Sequence, residues 1–426
     1  MRYVIIGNSA AGISAAETIR RLNPNCSVTI ISDEKHPAYS RCLLPDFLAG
    51  DIGEDRLRIR SRDFYQDHNI EAILGKKAMG INTETRHVVL ENGETVPYNR
   101  LLIATGSITT FPPLEGMDSP GVFGLRTLAD ARNILKAAES ARRAVVVGAG
   151  LVGLEAAYAL YRRGLEVTVV EKAPQIVPQQ FDAIASHVLK KDMENEGIRI
   201  VLNTGIRGIA GPTIWERLFG KKGKGVLLED GGRLKCELVV VATGARPNTD
   251  IVKNTGIKVN RGIVVNKYMQ TSLPDIYAAG DVAETVDIVT GLQSVTPIWP
   301  NAMVQGRYAG CNMAGRERKY GGLIGMQNTV EFREVPAIAV GLTQVNADGY
   351  QVLSHYRPEN NTYKKLVFKD NILKGAVLVG DIANAGVFSA LIRNRTDISQ
   401  IGDRFMEEGF GYGNFLRKAV RGFSAI

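Results

Sequence analysis

The sequence has few cysteines and lacks long apolar runs. Its four cysteines are far apart and form no CxxC pair, so neither a structural zinc site nor an iron–sulfur cluster held by this chain is expected. No segment approaches the roughly 20 apolar residues that a helix needs to cross a bilayer. Residues 1–7 pass directly into a glycine turn without a signal-peptide pattern. We therefore expect a cytoplasmic protein whose redox chemistry, where present, depends on an organic cofactor or on a lone thiol.

Features of nucleic-acid binding are also missing. The 426 residues carry a net charge of +8, yet neither an arginine-rich helix nor interleaved basic and aromatic residues accompany it. The charge is either a solvated basic surface or a means of attracting nucleotides or an acidic partner. The composition, with 45% hydrophobic and 23% charged residues, is that of a globular protein of several domains.

A strand–turn–helix–strand pattern opens the chain. Residues 3–7 (YVIIG) and 27–32 (SVTIIS) predict two buried strands, and a helix rich in small residues lies between them. The turn at 7–12 (GNSAAG) is a degenerate form of the dinucleotide fingerprint, in which serine replaces the middle glycine and offers a hydroxyl to a phosphate. Asp33 and Glu34 follow the second strand and support this interpretation.

The same pattern recurs in complete form near the middle of the chain. Strands are predicted at 144–147 and 166–170, and the turn at 148–153 reads Gly-x-Gly-x-x-Gly. Such a turn lets backbone N–H groups and a helix N-terminus face a pyrophosphate. Glu171 follows the second strand, where a carboxylate accepts both ribose hydroxyls of an adenosine, and Lys172 is the only cation nearby in sequence. The pattern therefore predicts a site that prefers NAD(H) over NADP(H).

Two further segments repeat one another. Residues 101–106 (LLIATG) and 239–244 (VVVATG) each predict a buried strand that ends in Ala-Thr-Gly. Residues 271–283 contain a strand that runs into Gly280 and Asp281, and an aspartate in that position can bind a ribitol hydroxyl. Two nucleotide-binding halves, one of which interrupts the other, explain this doubling better than a solenoid, whose period would be shorter and regular.

The character of the sequence changes at about residue 326. Short alternating stretches predict strands, a helical segment follows them, and no cofactor motif is present. The predicted strands lie at 330–332, 337–340, 365–368 and 376–379, and the predicted helix lies at 385–392. We expect a third domain of the α+β class that ends in a basic helical tail.

One segment inside the second half has a distinct composition. Residues 211–225 combine Trp215, Leu218 and Phe219 with three lysines. The spacing i, i+3, i+4 of the apolar residues predicts a short helix with one apolar face. Either this face packs on its own domain, or it is an exposed patch that binds a partner.

Together the motifs resemble those of the pyridine nucleotide–disulfide oxidoreductases, flavoproteins that bind two dinucleotides. The matching segments, in the family's order and spacing, are GNSAAG at 7–12, IATG at 103–106, GAGLVGLE at 148–155, ATGARPN at 242–248 and IYAAGDVA at 276–283. The resemblance implies an α/β fold with two Rossmann-like nucleotide-binding domains, one inserted in the other, and a C-terminal α+β interface domain. It implies FAD binding by residues 1–110 and 245–325, NAD(H) binding by 111–244, and dimerisation through 326–426.

The resemblance also implies roles for individual residues. Asp281 would contact the ribitol chain of FAD, and Glu155 would lie beside the nicotinamide and the flavin. Cys42 and Glu155 are the candidate catalytic residues, and no metal ligand is expected. The residues that the motifs and the resemblance together assign to cofactor binding are Gly7, Ser9, Ala10, Ala11, Gly12, Asp33, Glu34, Arg41, Cys42, Ala78, Ala104, Thr105, Gly106, Arg126, Gly148, Gly150, Leu151, Val152, Gly153, Glu155, Glu171, Thr243, Gly244, Gly280, Asp281 and Ala302.

Residues 39–45 (YSRCLLP) leave the branch of the family open, because the disulfide reductases proper carry a CxxxxC here. The run resembles that of coenzyme A-disulfide reductases and NADH oxidases, which present one catalytic cysteine. It also resembles that of NADH:rubredoxin reductases and nitrite reductase flavin domains, which lack this cysteine, and residues 380–386 (GDIANAG) resemble the C-terminal domain of that branch. At a helix start and beside Arg41, Cys42 would have a lowered pKa. Alternatively, Cys42 is a small buried apolar side chain with a structural role only.

These resemblances support one leading function and two alternatives. The leading function is electron transfer between NAD(H) and a separate carrier or iron–sulfur partner subunit. That partner would be a rubredoxin- or ferredoxin-like protein, or the rest of a larger complex such as a tungsten aldehyde oxidoreductase. In the first alternative Cys42 makes the protein an NADH-dependent coenzyme A-disulfide or polysulfide reductase, or an NADH oxidase. In the second the protein is a flavin-bound, redox-sensing interaction protein. A homodimer or a subunit of a larger complex is expected.

Overall fold

A computed structural model describes residues 1–212, 223–332, 334–345, 348–399, 402–406 and 410–411. The apolar stripe predicted around Trp215 and most of the basic tail lie outside these residues. The strands are β1 (Arg2–Ile6), β2 (Ser27–Ser32), β3 (Ile70–Leu74), β4 (Ala78–Asn82), β5 (His87–Leu90), β6 (Thr95–Pro97), β7 (Arg100–Ile103), β8 (Ser107–Thr109), β9 (Val122–Phe123), β10 (Arg143–Val147), β11 (Glu166–Val170), β12 (Arg199–Val201), β13 (Ile206–Ala210), β14 (Lys224–Leu228), β15 (Arg233–Cys236), β16 (Leu238–Val241), β17 (Ala245–Pro247), β18 (Ile263–Val264), β19 (Ile276–Ala278), β20 (Ala283–Val286), β21 (Gln293–Val295), β22 (Gln327–Glu331), β23 (Pro336–Gly341), β24 (Gln351–Arg357), β25 (Thr362–Lys369) and β26 (Ile372–Val379). The α-helices are α1 (Ala10–Leu22), α2 (Leu44–Ala49), α3 (Phe64–Asp67), α4 (Leu128–Ala138), α5 (Leu151–Arg162), α6 (Ala183–Glu196), α7 (Trp299–Met313) and α8 (Ala385–Asn394).

The first nucleotide-binding unit is built on a parallel sheet with the strand order β19-β7-β1-β2-β3. Helix α1 follows β1 and packs closely against α7. Two glycines of α7 permit this approach, because a Cβ at Gly306 would lie 2.2 Å from the carbonyl oxygen of Ala11 and one at Gly310 would lie 2.8 Å from that of Ala15. The N-termini of both helices are therefore held at the same edge of the sheet.

The second unit repeats this topology in a parallel sheet ordered β12-β11-β10-β16-β9. The strands of the two predicted Ala-Thr-Gly segments, β7 and β16, each pair in parallel with the first strand of their unit, β1 and β10. Three-stranded antiparallel sheets extend both units, β4-β5-β6 in the first and β13-β14-β15 in the second. The expected pair of Rossmann-like units is confirmed.

The C-terminal region is an antiparallel sheet ordered β22-β23-β26-β25-β24, with α8 packed against β26 and β23. Its strands β22 and β25 share a hydrophobic core with the second unit, in which Val330 and Tyr363 lie with Leu154 of α5. The expected α+β class of this region is confirmed. The proposed domain boundaries remain predictions.

Two properties of the described residues bear on function. None of the helices they form is long and apolar enough to cross a membrane. Within the same residues, no cluster of three or more His, Cys, Asp and Glu side chains could hold a metal ion.

Candidate functional site

A cavity of about 590 Å³ lies between the two nucleotide-binding units and reaches β22 of the C-terminal sheet. Residues at the carboxyl ends of β1, β2 and β7 and at the N-termini of α1, α5 and α7 form its walls. This edge of a parallel sheet is where α/β proteins bind ligands. The predicted residues that line the cavity are Gly7, Ser9, Ala10, Ala11, Asp33, Glu34, Arg41, Cys42, Ala78, Ala104, Thr105, Gly106, Arg126, Leu151, Val152, Glu155, Gly280, Asp281 and Ala302.

The first glycine turn is shaped for close backbone approach. Gly7 has φ +127°, and a Cβ there would lie 2.0 Å from the carbonyl oxygen of Ala104. A Cβ at Gly12 would lie 1.9 Å from the carbonyl oxygen of Gly7, so glycine is needed here for α1 to pack directly against the turn. Gly12 itself does not line the cavity. Ser9 is the N-cap of α1, and its side chain makes no capping bond, which leaves the hydroxyl free to face a phosphate.

The second glycine turn has the same construction. Gly148 has φ +104°, and a Cβ there would lie 2.5 Å from the carbonyl oxygen of Ala242. A Cβ at Gly153 would lie 2.0 Å from the carbonyl oxygen of Gly148. Only Gly150 faces open space, with no atom within 4 Å of an added Cβ. The middle position of this turn is thus where a pyrophosphate can approach the backbone.

The carboxylate of Glu171 is fixed at this second turn. One oxygen accepts from the backbone N–H of Ala149 at 2.7 Å, and the other accepts from that of Ala173 at 2.8 Å. Lys172 forms an ion pair with Glu229, with 3.2 Å between Nζ and Oε1. The cation nearest to Glu171 in sequence is therefore already paired with a carboxylate.

The two acids after β2 have different surroundings. The carboxylate of Glu34 accepts from the hydroxyl of Tyr39 at 2.6 Å and from Nη2 of Arg41 at 2.5 Å. The side chain of Asp33 is exposed at the cavity wall. The sequence does not distinguish the two acids. In the structure Asp33 is the more available to a ligand, because the carboxylate of Glu34 is already hydrogen-bonded.

Asp281 is held by two groups from outside its own turn. Its Oδ2 accepts from Nη2 of Arg126 at 2.5 Å and from the hydroxyl of Ser107 at 2.8 Å. The preceding Gly280 has φ +82°, a conformation that favours glycine. Asp281 therefore presents a fixed carboxylate to the cavity, with its charge balanced by Arg126.

Cys42 lines the cavity together with two carboxylates, those of Glu155 and Asp281. Burial raises the pKa of its thiol, and the charges of Glu155 and Asp281 raise it further, while Arg126 opposes them. Arg41 does not counter this effect, because its guanidinium donates to Glu34 and to the carbonyl oxygen of Arg126. The expectation of a lowered pKa for Cys42 is therefore wrong. The side chain nevertheless remains accessible from the cavity.

Glu155 lines the cavity from the first turns of α5. Burial raises the pKa of its carboxyl to about 7, and the nearby charge of Asp46 adds to the effect. The pKa of Asp46 is itself raised by burial and by Asp51. Glu155 can therefore hold or release a proton near neutral pH.

Some predicted residues lie outside the cavity lining. Besides Gly12, they are Gly148, Gly150, Gly153, Glu171, Thr243 and Gly244. The hydroxyl of Thr243 donates to the carbonyl oxygen of Thr110 at 2.8 Å. The hydroxyl of Thr105 donates to the carbonyl oxygen of Asn248 at 2.7 Å. The two Ala-Thr-Gly segments thus also tie the crossing chains between the units together.

Other cavity residues were not found from the sequence. They include Asn8, Lys77, Met79, Ser107, Asn248, Asp250, Trp299, Gln327, Asn328 and Thr329. Ser107 directly follows the IATG segment and Asn248 ends the ATGARPN segment, so these motifs could have indicated both residues. Gln327, Asn328 and Thr329 belong to β22, which carries no motif, so the sequence offered none.

The residues present fit two dinucleotides. Each unit offers a glycine turn at a helix N-terminus and an acid after its second strand. The open space at Gly150 and the uncapped hydroxyl of Ser9 lie where phosphates would approach. Asp281 adds a carboxylate on the cavity wall.

Comparison with known proteins agrees with this fit. Residues 1–306 match the pyridine nucleotide-disulphide oxidoreductase family, and residues 328–396 match the rubredoxin NAD+ reductase C-terminal domain. The chain is 37% identical to an NADH oxidase of Methanocaldococcus jannaschii over 75% of its own length and 71% of that protein. It is 32% identical to the epsilon subunit of the NADH-dependent phenylglyoxylate dehydrogenase of Aromatoleum evansii, over 97% of its length and 96% of that subunit.

Two further relatives are longer than this chain. The chain is 33% identical to the nitrite reductase [NAD(P)H] of Bacillus subtilis over 94% of its length, but it spans only 48% of that protein. It superposes on the NAD-dependent persulfide reductase from A. fulgidus with a TM-score of 0.85 and 30% identity, covering 94% of this chain and 78% of that one. The expected resemblance, fold class and cofactors are confirmed. The chain belongs to the pyridine nucleotide–disulphide oxidoreductases and is an FAD-containing, NAD(H)-dependent oxidoreductase.

Proposed function

We propose that the protein carries electrons from NADH to a separate one-electron carrier protein or iron–sulfur partner subunit. The observation that carries this proposal is the environment of Cys42, which shares the cavity with Glu155 and Asp281 and has a thiol pKa raised by burial and by both charges. Because disulfide chemistry needs a thiolate, these surroundings favour a route that does not use the cysteine. The rubredoxin reductase-type C-terminal domain supports the same choice.

The residues of this chain bind, align and shield the reactants. The chemistry that bound FAD would supply is acceptance of a hydride from NADH and release of the two electrons one at a time. The turn at Gly150 would face the pyrophosphate of NADH, and the fixed carboxylate of Glu171 would accept the adenosine ribose hydroxyls. Glu155 would exchange a proton near neutral pH beside the nicotinamide. Two oxidised carriers are reduced for each NADH oxidised, and one proton is released.

The epsilon subunit relative supports electron exchange with a partner subunit. This chain matches almost the whole of that protein, whose name places it in an NADH-dependent dehydrogenase of several subunits. The described residues form no cluster of metal ligands, so an iron–sulfur acceptor would belong to another chain.

A second candidate function uses Cys42 as a redox centre. Its side chain is accessible from the cavity and interacts electrostatically with Arg126. The relatives named NADH oxidase and persulfide reductase favour this candidate. The protein would then reduce coenzyme A disulfide, polysulfide or oxygen with NADH.

The Cys42→Ser variant separates the two candidates. Holoenzyme is assayed with NADH against rubredoxin and, separately, against coenzyme A disulfide and polysulfide; Cys311→Ser is the control. Carrier reduction should survive within about twofold in both variants, because the electron route needs no thiol. If the native protein reduces a disulfide and the Cys42→Ser variant does not, the second candidate stands and the first is wrong.

A further inference from the structure

The chain segment 39–57 lies between strands β2 and β3 of the first nucleotide-binding unit, but it packs on the second unit. Tyr39 and Leu48 share a hydrophobic core with Leu128 of α4 and with residues of α5. Helix α2 of this segment contacts both of those helices. Arg163, at the end of α5, donates from Nε to the carbonyl oxygen of Leu48 at 2.8 Å. The second unit therefore determines where this segment lies.

Glu34 connects the segment back to the first unit. It lies two residues beyond the end of β2, and its side chain is only 17% exposed. Its Oε2 accepts from the hydroxyl of Tyr39 at 2.6 Å, and its Oε1 accepts from Nη2 of Arg41 at 2.5 Å. Arg41 also donates from Nη1 to the carbonyl oxygen of Arg126 at 2.7 Å. Glu34 thus joins the end of β2 to the chain that enters α4.

Tyr39 supplies an acceptor to the N-terminus of α4. The first N–H groups of a helix have no acceptor within the helix itself. In α4 the carboxylate of Asp130 accepts from the N–H groups of Arg126 and Thr127. The N–H of Leu128 donates instead to the hydroxyl of Tyr39 at 2.9 Å. Because this bond is buried, its loss would leave the N–H of Leu128 unpaired away from water.

The hydroxyl of Tyr39 therefore bridges the two units. Burial raises the pKa of this phenol; the charge of Arg41 opposes the effect and the charge of Glu34 adds to it. The hydroxyl consequently keeps its proton and donates it to Glu34, while its oxygen accepts from Leu128. We call Glu34, Tyr39, Arg41 and Leu128 the Tyr39 cluster.

The Tyr39 cluster lies beside a second contact between the units. Arg126, whose carbonyl oxygen accepts from Arg41, donates from Nη2 to Asp281 of the first unit at 2.5 Å. Arg41, Arg126 and Asp281 all line the cofactor cavity. The residues that enter α4 are therefore fixed to the first unit through both Glu34 and Asp281, at the wall of the cavity that lies between the units.

We propose that Tyr39 is a positioning residue, which holds the second unit against the first so that a hydride can pass between the nucleotides bound to them. Hydride transfer needs the reacting atoms within about 3–3.5 Å, and a displacement of about 1 Å can cost a hundredfold in rate. Since each unit has its own glycine turn for a dinucleotide, alignment of the two nucleotides depends on the contact between the units. Glu34 contributes as the acceptor of Tyr39 and Arg41. The inference concerns a step that precedes any acceptor, so it does not depend on the proposed function.

The test is Tyr39→Phe in the holoenzyme, which keeps the ring in its core and removes only the hydroxyl. Tyr98→Phe is the matched control, because the Tyr98 hydroxyl is buried and forms no hydrogen bond with any described residue. The first readout is hydrogen exchange resolved to single amides. The amide of Leu128 should exchange about tenfold or more faster in Tyr39→Phe than in the native protein, through loss of its acceptor, and at the native rate in Tyr98→Phe.

The second readout is flavin reduction by NADH, followed in single turnover without an added acceptor. At saturating NADH the rate in Tyr39→Phe should fall about fivefold or more, because the two units are less well aligned. The Kd of NADH from the same traces should stay within about twofold of native, since Gly150 and Glu171 lie outside the Tyr39 cluster, and bound FAD should stay at the native level. Glu34→Gln, which keeps an acceptor for Tyr39 but loses the ion pair with Arg41, should show a smaller fall in rate.

Several results would overturn the inference. Faster exchange at Leu128 with an unchanged rate of flavin reduction would make the bond merely structural, and unchanged exchange would show that the bond does not protect this amide. A Kd of NADH that rises as the rate falls, or loss of FAD from Tyr39→Phe, would assign Tyr39 to nucleotide binding instead. If Tyr39→Phe does not fold, Glu34→Gln decides: a lower rate with FAD still bound supports the inference, whereas loss of FAD or a native rate refutes it.

Discussion

Glu155 is the residue through which pH should act most directly on the cofactor cavity. Its carboxyl has a pKa of about 7 in the folded protein, compared with 4.5 for an unperturbed glutamate. The protonated form is therefore favoured by folding. Stability that depends on this proton is fully present below about pH 4.5 and is lost as pH rises through 7.

Glu155→Gln should consequently stabilise the protein more at pH 8 than at pH 5, because glutamine remains neutral in the same buried position. The gain at pH 8 should be about 2–3 kcal/mol, which corresponds to an increase in Tm of several degrees. Thermal unfolding of the holoenzyme between pH 5 and 8 measures it, with the exposed Glu84→Gln as control. A Tm difference that does not change with pH would contradict the assignment.

Glu171 should decide the choice of nicotinamide cofactor. Its carboxylate is already positioned by Ala149 and Ala173, and Lys172 is paired with Glu229, so a 2′-phosphate would meet an uncompensated negative charge. Glu171→Ala should raise KM for NADH about tenfold, through loss of charge-assisted hydrogen bonds, and leave bound FAD unchanged. Glu166→Ala is the control, because Glu166 is exposed at the start of β11, the strand that Glu171 follows. Equal kcat/KM for NADH and NADPH in the native enzyme would refute the role.

At the residue scale, sequence motifs located most of the cavity but could not predict how its charges are arranged. Cys42 follows Arg41 directly, which suggested a stabilised thiolate. The structure turns Arg41 to Glu34 and brings Glu155 and Asp281 near the thiol instead. Both carboxylates come from segments more than 100 positions away, and local sequence contains no information about such contacts.

At the scale of elements, buried strands were predicted more accurately than exposed ones. Apolar β-branched runs predicted β2 and β11 with their observed bounds, because both are buried strands of parallel sheets. Strand β24, Gln351–Arg357, was not predicted, since most of its residues are polar or exposed and it lies at the edge of its sheet. The glycines of α7 were also overlooked, because their role is contact with α1 across the fold.

The glycines of α7 lead to a prediction about the packing of α7 on α1. A Cβ at Gly306 would lie 2.2 Å from the carbonyl oxygen of Ala11, a backbone atom that cannot move aside cheaply. Gly306→Ala should therefore push α7 from α1, lower Tm and weaken FAD retention, with a cost of about 1–3 kcal/mol. Gly386→Ala is the matched control, because Gly386 lies in helix α8 with no atom within 4 Å of an added Cβ. There alanine should be neutral or stabilising, and equal Tm values for the two variants would refute the packing argument.

At the scale of the whole molecule, the C-terminal sheet completes the site although it carries no cofactor motif. Its strand β22 lines the cavity through Gln327, Asn328 and Thr329. Since this sheet also packs on the second unit, its placement depends on contacts between the two. The sequence predicted the sheet but not its approach to the cavity, because β22 meets the segments at 7–11 and 151–155 there, and both are more than 100 residues away in sequence.

Asp182 is the polar centre of that contact. It caps α6 by accepting from the backbone N–H of Ala185, and its Oδ2 accepts from the hydroxyl of Tyr363 at 2.7 Å and from Nζ of Lys365 at 2.9 Å. The Asp182 and Lys365 side chains are 20% and 13% exposed, so the pair is mostly withdrawn from water. Burial and the bond to Asp182 raise the pKa of Tyr363, which keeps its hydroxyl protonated as a donor.

Asp182→Ala should destabilise the protein by about 3 kcal/mol, because it leaves the Lys365 ammonium buried without a partner. Adding Lys365→Met to this variant should recover part of the loss, since an apolar side chain needs no counter-charge there. Thermal unfolding of the native protein, both single variants and the double variant gives the coupling energy. Asp230→Ala, in an exposed turn, is the control. Additive effects of the two substitutions would show that the pair is not coupled and that apolar packing alone holds the C-terminal sheet against the second unit.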